Sequence, residues 1–288
     1  MIFPDTKISA GSFPNSETRE TLHLRFASHY VTVRSASPEV TQSFRSSVAL
    51  MMGPSADGTC VGNLEVVVRQ AIYSVIGPEV SEVHEYEDPE SAANRLFHAA
   101  IKLLMAARPD LLWIHGGVVA RDERATLLCG PSGAGKSTLV SALIARGWTY
   151  FSDEFAVVDP HNATVFPFPI APSMRINNGI FLGDGDKVSD LPKVRIETPA
   201  HSVGTTAVPI DGAFFLSYTP QGQGAQVVNC SPAEGVLEML QNSLSTASSR
   251  DQEVRGLCAL MSRVPSARLI YGRARDATDR IEARLSRS

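Results

Sequence analysis

Cysteine is scarce: Cys60, Cys129, Cys230 and Cys258 are the only four in 288 residues, and no two form a C-x-x-C pair. That spacing excludes a disulfide framework or a zinc cluster and fits reduced thiols in a cytosolic protein. Lys/Arg tracts are missing, and the net charge is −4 with a pI near 6.0. Such a balance argues against nucleic acid as the main ligand. No apolar run approaches the 18 residues of a membrane span, so none is expected. The start, MIFPDTKISAGSFPNSE, lacks a basic segment followed by an apolar core and does not read as a signal peptide. Internal repeats are absent too. What is present is ordinary for a soluble globular protein: 43% hydrophobic and 19% charged residues, in a length that suits one large or two modest domains.

One stretch stands apart. Gly130-Pro-Ser-Gly-Ala-Gly-Lys-Ser137 fits the phosphate-binding pattern G-x-x-x-x-G-K-[ST]. Ala125 to Cys129 before it reads as a buried strand. Ser137 to Arg146 after it reads as a helix with Leu139, Val140, Leu143 and Ile144 on one face and Gly147 as its stop. Gly130, Gly133 and Gly135 permit backbone approaches that a Cβ would block. The loop amides, contributed from Gly130, Ser132, Gly133, Ala134, Gly135, Lys136, Ser137 and Thr138, can then converge on an anion, aided by the helix dipole. Lys136 supplies a mobile charge for β- and γ-phosphates, and the Ser137 hydroxyl can ligate Mg²⁺.

Residues 1–20 are polar and turn-rich and read as a loose lead-in. Leu22 to Arg34 alternates as two strands with a turn near Ser28. Ser37-Pro38-Glu39 starts a helix that continues from Val40 to Met52, and Gly53 to Gly58 is a loop. Leu64–Val68 and Ala71–Ile76 read as strands. Asp88-Pro89-Glu90 opens a helix to about Ala107, with Leu96, Phe97, Ala100, Ile101 and Leu104 on one face. These elements form a small α+β unit, and Arg108-Pro109-Asp110 marks its end because the proline stops the helix. The expected division is 1–110 and 111–288.

Leu111 to Ala120 is a strand, followed by a charged turn at 121–124. A hairpin ahead of the glycine loop is informative, since simple nucleotide kinases usually begin at the loop strand itself. Trp148 to Val158 reads as one strand carrying Asp153 and Glu154, the next strand after the loop helix, and it is expected to adjoin the loop strand with its acids facing the phosphates. An acid there suits Mg²⁺ beside phosphates. Asp153 comes only 17 residues after Lys136. An ABC-type ATPase would place its acid far downstream of an LSGGQ-like signature, and no such signature occurs. Val165 to Arg175 runs extended, and 183–208 is rich in Gly, Asp, Pro and Thr. Ala213–Tyr218 and Ala225–Val228 are strands, and Pro232–Leu244 and Gln252–Met261 are helices. Arg268–Tyr271 is a last strand, before a closing helix at Ala277–Leu285. Arg175, Lys193 and Arg195 are candidate cations for transition-state charge.

Ile114-His-Gly-Gly-Val-Val119, the glycine loop, and Gly147-Trp-Thr-Tyr-Phe-Ser-Asp-Glu154 together resemble the catalytic domain of HPr kinase/phosphorylase, over roughly residues 111–160. Phe166-Pro-Phe-Pro-Ile170 and Arg268-Leu-Ile-Tyr-Gly272 look more like the HPr-kinase-related subgroup. The resemblance implies an α/β, P-loop kinase fold of the HPr kinase/phosphoenolpyruvate-carboxykinase type, with a smaller N-terminal α+β domain. It implies ATP and Mg²⁺ as cofactors, a protein or peptide serine as acceptor, and assembly into a homo-oligomer. From the charge balance and the lack of an apolar span no nucleic acid or membrane partner is expected, and the reduced thiols make a cytoplasmic location the expectation. By matching position, Lys136 binds phosphates, Ser137 and Glu154 hold metal, Asp153 is the base, and His115 stands at the family's histidine. The second acid here is Glu where the family has Asp, and the long signature that follows the acidic pair in HPr kinases is not found. Two other functions fit the same motif: a kinase of a small hydroxylated metabolite, and a nucleotide-binding regulatory module with little turnover.

Overall fold

The computed structural model describes residues 19–53, 58–78, 80, 84–177, 180–181, 193–195, 202–220, 222, 224–244 and 250–286. Residues 1–18 of the expected 1–20 lead-in and most of 183–208 lie outside them. β1 (Glu20–Phe26) and β2 (His29–Ser35) form the expected hairpin, turning at Ala27-Ser28. Ser37 caps α1 (Pro38–Val48) by accepting the Val40 N–H, with Pro38 in the first turn. β3 (Thr59–Arg69) begins five residues before the expected Leu64 and pairs parallel to β2, which the α1 crossover makes possible. β4 (Ile72–Ile76) and β5 (Glu85–Tyr86) complete a five-stranded sheet ordered β1-β2-β3-β4-β5. Asp88 caps α2 (Pro89–Ala107), which buries Leu96, Ala100, Ile101 and Leu104 as its periodicity requires.

β6 (Leu112–Arg121) and β7 (Arg124–Cys129) are joined by Asp122 and Glu123, both left-handed at φ 50° and 60°. Two left-handed residues make the tight turn that matches strand twist. After β7 come α3 (Lys136–Ile144), β8 (Thr149–Ser152), β9 (Phe155–Asp159) and β10 (Thr164–Phe166). A three-stranded sheet follows, with β11 (Ser173–Asn177) between β12 (Ile180–Phe181) and β13 (Lys193–Arg195). β14 (Val208–Tyr218), β15 (Ala225–Cys230), α4 (Pro232–Asn242), α5 (Arg250–Met261), β16 (Ser266–Tyr271) and α6 (Ala274–Leu285) end the chain.

The large sheet runs β10-β9-β6-β7-β14-β16-β15, with β8 also on β6, and β10 returning to pair with β14. Its centre, β7-β14-β16, is parallel, and its flanks are antiparallel. α4 and α5 bury Met239, Leu257 and Leu260 on one face against Leu112, Leu127, Val158 and Phe215. α3 and α6 bury Leu139, Leu143 and Ile281 on the other against Leu128, Phe214 and Leu269. Glu282 of α6 accepts from Arg146 and the Trp148 indole, which fixes α6 against the end of α3.

Residues on both sides of 110 share a core. Phe26 packs on Trp113 and Phe168 at ring separations of 5.4 and 5.2 Å, and Phe155 and Val157 join the cluster formed by α1, α2 and the five-stranded sheet. The N-terminal elements are thus seated on the β6–β9 end of the large sheet, beside the acid pair.

Two expectations need correction. Trp148–Val158 is not one strand: β8 stops at Ser152 and β9 starts at Phe155, with Asp153 and Glu154 in the break. The buried Ser152 hydroxyl accepts the Glu154 and Phe155 N–H groups, so these amides turn inward instead of joining a ladder. Nor does the acid-bearing ladder adjoin the loop strand. β6 lies between them.

Candidate functional site

The glycine loop leaves the carboxyl end of β7, beside the parallel partner β14, where open α/β sheets place ligands. Gly133 and Gly135 are left-handed at φ 86° and 84°, and Gly135 is the N-cap of α3. A Cβ on Gly130 would stand 3.1 Å from the Leu216 carbonyl oxygen, so the loop starts pressed against β14. Two long-range contacts hold it. The Gly130 N–H donates to Asn242 Oδ1 at 3.1 Å, and Tyr271 donates its hydroxyl to the Ala134 carbonyl at 2.6 Å.

Lys136 is only 7% exposed. Its ammonium donates to the carbonyls of Gly130 (2.7 Å) and Pro131 (3.1 Å), so the charge is held inside the curl of its own loop. Ser137 and Thr138 follow on the half-buried first turn of α3, and Ser132 and Gly133 stand exposed at the tip. Under the loop, burial pushes the Cys129 thiol up to about 12, so it stays protonated and unreactive at neutral pH.

Asp153 is 6% exposed. Its Oδ1 lies 3.9 Å from where a Gly117 Cβ would be, and that same point is 2.6 Å from Val140 Cγ2, one turn into α3. The missing side chain on β6 is therefore what lets the loop helix and the carboxylate converge across the strand between them. Gly117→Val should force α3 outward and lower stability by about 1–3 kcal/mol, the cost of an overpacked core. Thermal unfolding measures it.

Glu154 turns the other way, toward His115. The Glu154 carbonyl accepts the Gly116 N–H at 3.2 Å, and His115 Nδ1 lies 3.1 Å from that oxygen and 3.6 Å from Glu154 Oε1. A carbonyl only accepts, so Nδ1 carries the proton. Both side chains reach solvent, at 33% for His115 and 45% for Glu154.

Asp153 thus lies by Val140 of the loop helix across Gly117, Lys136 stays within its own loop, and Glu154 is grouped with His115. Of the three candidate cations, Arg175 and Lys193 are direct backbone partners in the β11–β13 pair, and Arg195 sits opposite Ser173 two residues along. Reading the sequence missed Asn242 and Tyr271, which lie 112 and 137 residues from the atoms they hold. Asn242 ends a helix, where Asn is an ordinary stop signal, and nothing local marks it as a loop anchor. Asn242→Ala should leave the buried Gly130 amide unpaired, lowering stability by about 1–3 kcal/mol. Denaturant unfolding checks it.

Fold and site together define a mixed α/β protein in which a glycine loop at the carboxyl edge of parallel strands encloses a lysine, with two acids at a strand break nearby. No family model matches the chain, and no curated protein matches it. Among solved structures it is similar to the HPr(Ser) kinase/phosphatase from Coxiella burnetii, with 12% identity and a TM-score of 0.34, over 61% of this chain and 99% of that one. Among the described residues, no helix is long and apolar enough to cross a membrane.

Proposed function

We propose that the chain is an ATP- and Mg²⁺-dependent phosphotransferase that moves the γ-phosphoryl group to a serine hydroxyl of a protein or peptide. The observation that carries this reading is the Lys136 ammonium enclosed by its loop, with the buried Asp153 carboxylate brought to α3 across Gly117. Phosphoryl transfer asks mainly for positioning and charge stabilisation, and these groups supply both.

Lys136 would exchange its two loop carbonyls for phosphate oxygens, while the amides around Gly133 and Gly135 orient them. The Ser137 hydroxyl would give Mg²⁺ a hard oxygen donor beside the phosphates, and the Glu154 carboxylate, which rests against His115, would join it by turning toward the loop, with substrate phosphates completing the shell. Bound there, Mg²⁺ would neutralise charge developing on the phosphates. Asp153 accepts the proton of the incoming hydroxyl as the new oxygen–phosphorus bond forms. The bond from the γ-phosphorus to the bridging oxygen breaks, and ADP leaves with that electron pair. His115, with its Nδ1 proton committed to Glu154, orients that residue.

Incubation with γ-labelled ATP, Mg²⁺ and serine peptides tests the proposal. Label on the peptide, or ADP release above the spontaneous rate, is expected. Failure to bind ATP would remove it.

A further inference from the structure

Arg95, His98 and Lys102 recur at helical spacing along one edge of α2, away from the residues that α2 buries. This edge reaches the acid pair electrostatically. Crowding by surrounding protein holds the His98 imidazole below its ordinary range, Glu154 pulls it up, and Lys102 and Arg95 push it down. The edge thus presents two basic side chains, Arg95 and Lys102. That local excess stands on a chain whose net charge is −4. Neither Arg95 nor Lys102 forms an ion pair among the described residues, and Arg95 Nε is buried with no hydrogen-bond partner there. A guanidinium and an ammonium that lack ion-pair partners on one helix edge are groups that carboxylates of a partner would pair with.

We infer that the Arg95–Lys102 edge of α2 is a docking surface for an acidic peptide segment, which presents its hydroxyl to the acid pair. The inference rests on the phosphotransfer reading for the meaning of that hydroxyl, but its geometry is independent of turnover. An acceptor approaching Asp153 and Glu154 meets two carboxylates and, with nucleotide bound, a triphosphate. Cations on the entry side offset that repulsion for an acidic segment, and they bias the choice of partner. The apolar cluster shared by α2, Phe26, Trp113, Phe168 and Phe155 ties α2 to the strand that follows the acid pair.

Fluorescence anisotropy of the full chain with labelled serine peptides, flanked by glutamates or by alanines, tests this. The acidic peptide should bind about tenfold tighter, and Lys102→Glu or Arg95→Gln should remove most of the difference. Lys102 is exposed, so its substitution keeps the test valid if the Arg95 variant unfolds. Equal affinities for the two peptides, or a preference that survives Lys102→Glu, would overturn the inference and leave the phosphotransfer reading standing. Acidic-selective binding without phosphorylation would support docking and remove the kinase reading instead.

Discussion

Lys136→Ala is expected to lower phosphoryl transfer by about 10²–10⁴-fold, the scale of a lost preorganised contact to transition-state charge. The side chain is 7% exposed and held by the carbonyls of Gly130 and Pro131, so its ammonium is already fixed against the loop that would receive the phosphates. Little reorganisation is then needed when phosphates replace those carbonyls. Lys136→Met keeps the stem but not the charge, and it should lose as much activity as Ala while unfolding closer to wild type. Lys136→Arg carries charge on a planar fork that does not fit a point-charge site, and it should recover little. Steady-state ADP release and peptide labelling give the rates, and thermal unfolding separates chemistry from folding. Wild-type rates in the Met variant would mean that the loop is a structural turn and the chain no phosphotransferase.

That lysine was legible because everything it needs is local. Strand, glycines, helix and C-terminal Gly147 lie within two dozen residues, and each follows from backbone preference. The same holds for the hairpin at Ala27-Ser28 and for the caps at Ser37 and Asp88. The acid pair was legible only as residue types. Trp148–Val158 is apolar enough to read as one strand, and the break at Asp153-Glu154 arises from a Ser152 hydroxyl that captures two amides opposite Gly116 and Gly117. The order of strands is set by long-range pairing, so no local pattern announces that β6 separates the acids from β7. Asn242 and Tyr271 were invisible for a related reason. Each acts on a backbone group far along the chain, through a contact that only the folded sheet creates.

The strand break makes the two acids inequivalent, and this is the basis for the second large effect. Asp153→Asn should cost about 10²–10⁴-fold in transfer, as expected for a lost general base, while ATP binding changes little. Asn matches Asp in shape, so the packing beside Gly117 and Val140 survives. Glu154→Gln removes a half-exposed carboxylate that stands 3.6 Å from His115, and its loss should appear first in the metal dependence. More Mg²⁺ should be needed for half-maximal rate, and saturating Mg²⁺ should restore much of the activity, because phosphate oxygens and Ser137 still contribute donors. Titrating Mg²⁺ at fixed ATP for wild type and both variants separates the roles. If Asp153→Asn is rescued by Mg²⁺ and Glu154→Gln is not, the roles are exchanged. The base would then be Glu154 beside His115, on the side facing α2, and the metal would belong to the buried acid beside α3.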